Sequence, residues 1–216
     1  MRVYFISGLG ADKTVFQLLT LQYCEPVFID WITPLKQETL PQYALRLKKE
    51  KGIEDDAVVV GLSFGGMLAT EIAKAFPKTQ VIILSSSKTK HEIPASYKAG
   101  IYLPAYKWLP NDMQRYFMYS YEKMFGVTSK KGKEIYRALI KNADINFNKW
   151  AIGALLHWKN TTIPTNLVHV HGTDDKILYY KNVHADITVP NGGHLMVMEQ
   201  ADEISAILEK LILKNG

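Results

Sequence analysis

Ser63 lies in a Gly-x-Ser-x-Gly sequence whose surroundings favour a nucleophilic serine. The β-branched run at residues 57–60 predicts a strand before Gly61, and the small and apolar residues at 66–73 predict a helix after it. A serine at a sharp turn from strand to helix exposes its hydroxyl, and the flanking glycines allow close backbone approach. A hydroxyl is a weak nucleophile, so Ser63 needs a general base and a group that orients that base.

A phosphate-binding loop is the alternative interpretation of this glycine-rich turn. The sequence Gly61-Leu62-Ser63-Phe64-Gly65 matches neither the P-loop pattern nor the Gly-x-Gly-x-x-Gly pattern of dinucleotide sites. The nucleophile is therefore the interpretation we favour.

Candidates for the base and the orienting acid follow two later predicted strands. The strand predicted at 166–171 precedes Asp174 and Asp175, and the strand predicted at 185–190 precedes a Gly-Gly loop and His194. Serine, acid and histidine thus occur in the chain order typical of nucleophile elbows on parallel sheets. One of the two aspartates is expected to orient His194, and the other to cap a helix or anchor the loop.

The predicted elements alternate between short strands and longer helices, which indicates an α/β fold with a mostly parallel sheet of about six strands flanked by helices. Helices are predicted at 12–22, 39–51 and 64–76, and a carboxyl-terminal helix carries an apolar face with acidic residues first and lysines last. The six predicted strands are residues 2–7, 26–31, 57–62, 80–85, 166–171 and 185–190.

Residues 88–160 differ in composition from the rest of the chain. They hold 13 Lys or Arg against 5 Asp or Glu, and 13 of the 24 aromatic residues. Four helices are predicted there, at 94–109, 111–125, 129–143 and 146–159. We expect a core domain of residues 1–87 and 161–216 and an all-helical lid of residues 88–160, inserted between the fourth and fifth strands, that covers Ser63.

The elbow, the aspartate loop and the histidine loop together closely resemble the α/β-hydrolase superfamily. In that family the acid falls three residues after a glycine, so the resemblance assigns Ser63 as nucleophile, Asp175 as acid and His194 as base. It also implies an oxyanion hole made by the backbone amides of Leu9 and Phe64. The loop after the first strand reads Ser7-Gly8-Leu9-Gly10, with Ser7 where the family usually has histidine.

The resemblance implies a serine hydrolase that cleaves a carboxylic ester or thioester of a small to medium acyl substrate through an acyl-serine intermediate. It implies no metal and no organic cofactor. The same three residues on this fold also serve carbon–carbon hydrolases and lyases, and a noncatalytic ligand-binding protein could keep the fold.

A metal site is the rival chemistry, because His169 and His171 alternate along one predicted strand ahead of the two aspartates. A His-x-His-x-Asp-His site would need an acid at Thr173 and a histidine at position 174, so the spacing fails. The remaining histidines, 91, 157 and 184, have no such local partners and are expected at the surface or satisfied in the core.

The basic, aromatic lid has two interpretations. It could attract an acidic or carrier-linked acyl group, nucleic acid or anionic lipid, or its lysines could simply cover a solvated helix face. We favour the solvated face and expect a small-molecule substrate and no nucleic-acid partner. The chain has a net charge of +5, a single cysteine, Cys24, and no apolar run long enough for a membrane span, so a cytoplasmic location is expected.

Overall fold

The structure is a computed structural model that describes residues 1–214, with only the backbone described at 98 and 99. The last two residues of the predicted core domain, 215 and 216, lie outside the described residues. Six parallel strands form one sheet in the order β2-β1-β3-β4-β5-β6. The strands are β1 (Arg2–Ile6), β2 (Glu25–Ile29), β3 (Val58–Leu62), β4 (Gln80–Leu84), β5 (Leu167–Gly172) and β6 (Ile187–Val189).

Helices cover both faces of the sheet, as predicted for an α/β fold. They are α1 (Leu40–Glu50), α2 (Phe64–Ala75), α3 (Ala99–Tyr102), α4 (Ala105–Trp108), α5 (Asn111–Ser120), α6 (Lys130–Asn142), α7 (Ile145–Leu156), α8 (Met196–Glu199) and α9 (Ala201–Lys214). Alternate strand residues point to opposite faces, so two apolar cores form. One lies against α1, α2 and α7, and the other lies against α6, α8 and α9.

The all-helical insertion between the fourth and fifth strands is confirmed. It contains α3 to α7, and its two longest helices begin at caps that the sequence contains: Ser129 Oγ accepts from Gly132 N–H at 2.9 Å, and Asp144 accepts from Asn146 and Phe147 N–H. Arg115 on α5 donates to the carbonyl oxygens at the end of α6. This arginine therefore stabilises the insertion itself.

Two predicted helices are wrong in part. The region predicted as a helix at 12–22 contains only a 3-10 turn at Lys13–Phe16. Beyond it, Thr20 N–H donates to Ser205 Oγ at 3.0 Å and Gln22 N–H donates to Glu209, so these two groups bond to α9 and not to carbonyls of a continuing helix. The region predicted at 94–109 is a 3-10 turn followed by α3 and α4, which are separated at Pro104, a residue without an N–H to continue the helix.

The aromatic residues of the insertion divide into two groups. Phe147 and Trp150 pack against Trp31, Tyr43 and Phe64 of the core, in ring geometries that range from stacked to edge-on. These rings attach α7 to the core, since buried aromatic pairs contribute both apolar area and preferred ring geometry. The second group is exposed and consists of Tyr102, Trp108, Tyr116, Phe117, Tyr119 and Tyr121.

Candidate active site

Ser63 occupies the turn between β3 and α2 in a backbone conformation that few non-glycine residues adopt. Its φ is 52° and its ψ is −117°. Such a conformation costs about 1–3 kcal/mol and persists only where neighbours enforce it. Here Ser63 N–H donates to the Leu84 carbonyl at 2.9 Å, and Ser86 Oγ donates to the Ser63 carbonyl at 2.7 Å.

The glycines around Ser63 are required by close backbone contacts. A Cβ on Gly61 would lie 2.5 Å from the Gly65 carbonyl oxygen, and a Cβ on Gly65 would overlap the carbonyl oxygens of Ile6 and Ser7. No side chain fits at either position. The Gly-x-Ser-x-Gly spacing therefore reflects the packing of α2 onto the ends of β3 and β1.

Three of the predicted site residues form a continuous line of hydrogen bonds. His194 Nε2 lies 2.9 Å from Ser63 Oγ, and His194 Nδ1 lies 2.8 Å from Asp175 Oδ2. His194 and Asp175 are 1% and 4% exposed, whereas Ser63 is partly open to solvent. The histidine is thus shielded while the hydroxyl remains accessible.

Asp175 is the aspartate that contacts His194, and the neighbouring Asp174 is exposed. Asp175 Oδ1 accepts from Ile177 N–H at 2.8 Å and from Leu178 N–H at 2.9 Å. Burial raises the pKa of the Asp175 carboxyl, but the charge and hydrogen bond of His194, together with further donors, lower that pKa below its usual range. The carboxylate is therefore ionised at neutral pH.

His169 and His171, called the histidine pair below, lie side by side behind Asp175. His171 Nε2 donates to the Leu178 carbonyl at 2.8 Å, since a carbonyl can only accept. His171 Nδ1 must then accept from His169 Nε2 at 3.0 Å, which leaves His169 Nδ1 without a proton and without a partner among the described residues. His171 Nε2 also lies 3.4 Å from Asp175 Oδ2.

Both members of the pair are fully buried, and burial lowers the pKa of each. The His171 ring lowers the pKa of His169 further, whereas Asp175 opposes the effect on His171. Both rings are therefore neutral at pH 7. The His-x-His alternation, which also suggests the rival metal site, correctly indicates that both rings share one face of β5.

The residues predicted to donate to an oxyanion lie close to Ser63. Gly8 packs so near the serine that a Cβ on it would lie 3.3 Å from Ser63 Cβ. Ser7 Oγ, at the position where histidine is usual, donates to the Ala11 carbonyl at 2.8 Å and closes the loop. Within the described residues, the Leu9 and Phe64 N–H groups donate to no other protein group, so both remain free for a ligand.

The insertion contacts the loop that carries His194. The Phe125 ring packs edge-on against the His194 ring at a centroid distance of 5.4 Å, and Leu195 N–H donates to the Phe125 carbonyl at 3.0 Å. Gly126 and Gly193 pack so closely that a Cβ on either would lie 2.8 Å from the other's Cα. Sequence reasoning missed these contacts because no local motif links positions 125 and 194.

A cavity of about 380 Å³ extends from Leu9 into the insertion. None of the described side chains that line it is charged, and the lysines Lys107, Lys149 and Lys159 border a different groove. The cavity is lined by Leu9, Tyr106, Leu109, Gln114, Phe117, Met118, Tyr121, Asn148 and Ile152.

Two features of residues 1–214 bear on the alternatives. Within that range, no group of three or more His, Cys, Asp or Glu side chains is arranged to hold a metal ion. No helix there combines the length and hydrophobicity needed to cross a bilayer. His91, His157 and His184 are exposed.

Residues 3–207 match the sequence profile described as the alpha/beta hydrolase family. A comparison with curated proteins finds no match.

Among solved structures, the chain is similar to an esterase from Exiguobacterium antarcticum, with a TM-score of 0.76 and 12% identity over 98% of this chain and 91% of that one. It is also similar to a thermophilic esterase from Thermogutta terrifontis, with a TM-score of 0.72 and 16% identity over 100% and 90%. A meta-cleavage product hydrolase from Pseudomonas fluorescens gives a TM-score of 0.65 and 14% identity over 100% and 92%. At these identities the likeness shows a shared fold.

Proposed function

The chain belongs to the α/β-hydrolase family, and on that basis we propose that it is a serine hydrolase that cleaves a carboxylic ester or thioester of a small to medium acyl substrate. The observation that carries this proposal is the hydrogen-bond line from Ser63 Oγ through His194 to Asp175. This arrangement activates a serine as a nucleophile, because the histidine can take the hydroxyl proton while the carboxylate stabilises the resulting imidazolium.

In the acylation step, Ser63 Oγ attacks the carbonyl carbon and its proton passes to His194 Nε2. The negative charge that develops on the carbonyl oxygen is stabilised by the Leu9 and Phe64 amides. The bond to the leaving group then breaks, and the leaving oxygen or sulfur takes the proton from His194. Asp175 stays ionised throughout and holds His194 with its Nδ1 proton facing Oδ2.

In the deacylation step, water attacks the acyl-serine carbonyl and gives a proton to His194 Nε2. Collapse of the second tetrahedral intermediate releases the acid, and the proton returns to Ser63 Oγ. The reaction consumes one water and needs no cofactor in this scheme.

We also propose that residues 88–160 act as a lid over a core domain of residues 1–87 and 161–216. The contacts of Phe125 and Gly126 with the His194 loop support this proposal. So does a carboxylate bridge: Glu199, shortly after His194, accepts from Thr128 Oγ1 and from Ser129 N–H and Oγ, each at 2.9 Å.

A fluorophosphonate probe tests the nucleophile directly. Wild-type protein should label covalently, Ser63→Ala should not label, and Ser96→Ala, which changes an exposed serine, should label as wild type does. Turnover of 4-nitrophenyl butyrate should fall about 10⁶-fold in Ser63→Ala. Folded wild-type protein that fails to label would contradict the proposal and favour a noncatalytic binding protein.

A carbon–carbon hydrolase or lyase is the second candidate, because the chain shares its fold with a meta-cleavage product hydrolase. Such an enzyme would also label at Ser63. A panel of 4-nitrophenyl esters and acyl thioesters of two to eight carbons separates the two candidates. Labelling without turnover of any ester or thioester would favour the second.

A further inference from the structure

Asn148, on α7 of the insertion, carries a buried amide that the fold leaves without partners. The residue is 2% exposed, and neither Nδ2 nor Oδ1 has a hydrogen-bond partner among the described residues. Buried amides are nearly always paired in folded proteins, so an unpaired one calls for an explanation. Packing does not provide one, because an apolar side chain of the same size would fill this position without leaving polar atoms unpaired.

The amide lies directly against the loop proposed to bind the oxyanion. A Cβ on Gly10 would lie 3.3 Å from Asn148 Nδ2 and 3.8 Å from Oδ1. Gly10 follows Leu9, whose N–H is free, and both Leu9 and Asn148 line the cavity of about 380 Å³. Asn148 therefore adjoins both this cavity and the loop proposed to bind the oxyanion.

The rest of that cavity is largely apolar, although the buried Tyr106 hydroxyl also has no hydrogen-bond partner among the described residues. Gln114 Nε2 donates to the carbonyl oxygens of Tyr106 and Leu109, so this second amide is occupied by the protein. Phe117 and Ile152 supply apolar surface. Since none of the described side chains lining the cavity is a cation, a carboxylate bound there would have no counter-charge among them, and its burial would be unfavourable.

The position of the histidine decides which half of the substrate enters this cavity. His194 Nε2 protonates the leaving group in the proposed reaction, so the leaving group must lie on the His194 side, where Phe125 packs. In this scheme the cavity that begins at Leu9 receives the acyl group. An amide both donates and accepts, which suits a neutral hydroxyl that does the same.

We propose that Asn148 binds a neutral hydroxyl on the acyl chain, so that the preferred substrates are uncharged hydroxyacyl esters. This inference rests on the proposed serine hydrolase function and adds its substrate class. A site built to hydrogen-bond a substrate hydroxyl rejects the analogue without it, because its own polar atoms are then left unpaired. Asn148 is a specificity-determining residue in this scheme, and its replacement alters the preference between substrates.

The test compares three 4-nitrophenyl substrates of similar size: the butyrate ester, the 3-hydroxybutyrate ester and the succinate monoester. Wild-type kcat/KM for 3-hydroxybutyrate should exceed that for butyrate by about ten-fold or more. In Asn148→Leu the ratio should fall to about one, mainly through faster turnover of butyrate relative to 3-hydroxybutyrate. Asn146→Leu, an exposed position on the same helix, should keep the wild-type ratio.

Each outcome bears on one proposal or the other. Butyrate turnover that depends on Ser63 but shows no preference for the hydroxyl, or an Asn148→Leu ratio equal to that of wild type, overturns the role of Asn148 and leaves the hydrolase intact. A preference for the succinate monoester overturns the neutral acyl group and favours a basic lid that binds acidic substrates. Protein that labels at Ser63 but turns over none of the three esters overturns the preference for hydroxyacyl esters, and folded protein that fails to label overturns both proposals. Asn148→Ala serves as a second variant if Asn148→Leu fails to fold.

Discussion

Replacing Asp175 with asparagine should inactivate the enzyme through the orientation of the new amide. The two oxygens of Asp175 have different partners: Oδ1 accepts from the Ile177 and Leu178 N–H groups, and Oδ2 accepts from His194 Nδ1. An asparagine at this position keeps its oxygen on the two N–H donors, because the reverse orientation would place its NH₂ group against them. The NH₂ group therefore faces His194.

An NH₂ group in that place changes the tautomer of His194. It donates to Nδ1, so the ring proton moves to Nε2, and Nε2 can no longer accept the proton of Ser63 Oγ. The loss of a correctly protonated base in such a site lowers kcat by about 10⁴-fold. This loss corresponds to about 5.5 kcal/mol of transition-state stabilisation.

The assay is kcat and kcat/KM for 4-nitrophenyl butyrate, together with the rate of fluorophosphonate labelling. The matched control is Asp174→Asn, which makes the same chemical change one residue away at an exposed side chain. This control should stay within about two-fold of wild type, as surface substitutions usually do. If Asp175→Asn retains activity within ten-fold of wild type, or if Asp174→Asn loses as much, the assignment of the orienting acid is wrong.

Two further predictions concern stability. Burial lowers the pKa values of the histidine pair, so below about pH 6.5 the unfolded chain binds more protons than the folded chain does. As the pH is lowered, the free energy of unfolding should therefore fall by up to about 1.4 kcal/mol per pH unit for each histidine. Urea unfolding between pH 7.5 and 5 measures this slope. His169→Leu should reduce the slope, and His91→Gln, at an exposed position, should leave it unchanged. A wild-type free energy of unfolding that does not change with pH in this range would refute the prediction. Trp158→Phe removes the indole N–H that donates to buried Glu71 Oε1 at 2.7 Å and should lower the free energy of unfolding by about 1.5–3 kcal/mol. The control Trp108→Phe, at a residue 75% exposed, should lower it by less than about 0.5 kcal/mol. Equal losses for the two variants in urea unfolding would contradict this prediction.

The sequence predicts the sheet well because short-range patterns encode it. The β-branched runs of β3 and β4 are buried on both faces, so their apolar character is nearly continuous. The caps Ser129 and Asp144 mark helix starts within a few residues, and these starts are confirmed. The predicted helix at 12–22 is wrong beyond its first turn, where the Thr20 and Gln22 N–H groups bond to α9, some 185 residues away in the chain. A local pattern carries no information about such partners.

For the candidate site, the sequence by itself determined the elbow, the order of serine, acid and histidine, and the strand ends that carry them. Each of these follows from local chemistry: glycines where backbones meet, and polar loops after apolar strands. The residues alone leave Asp174 and Asp175 both open, whereas long-range packing places Asp175 against His194 and the histidine pair behind that acid. Packing also leaves the Asn148 amide, beside Gly10, without a partner among the described residues. These contacts form between side chains from segments that are distant in the sequence, so a local pattern cannot predict them. Ser63 and His194, for example, are 131 residues apart in the chain.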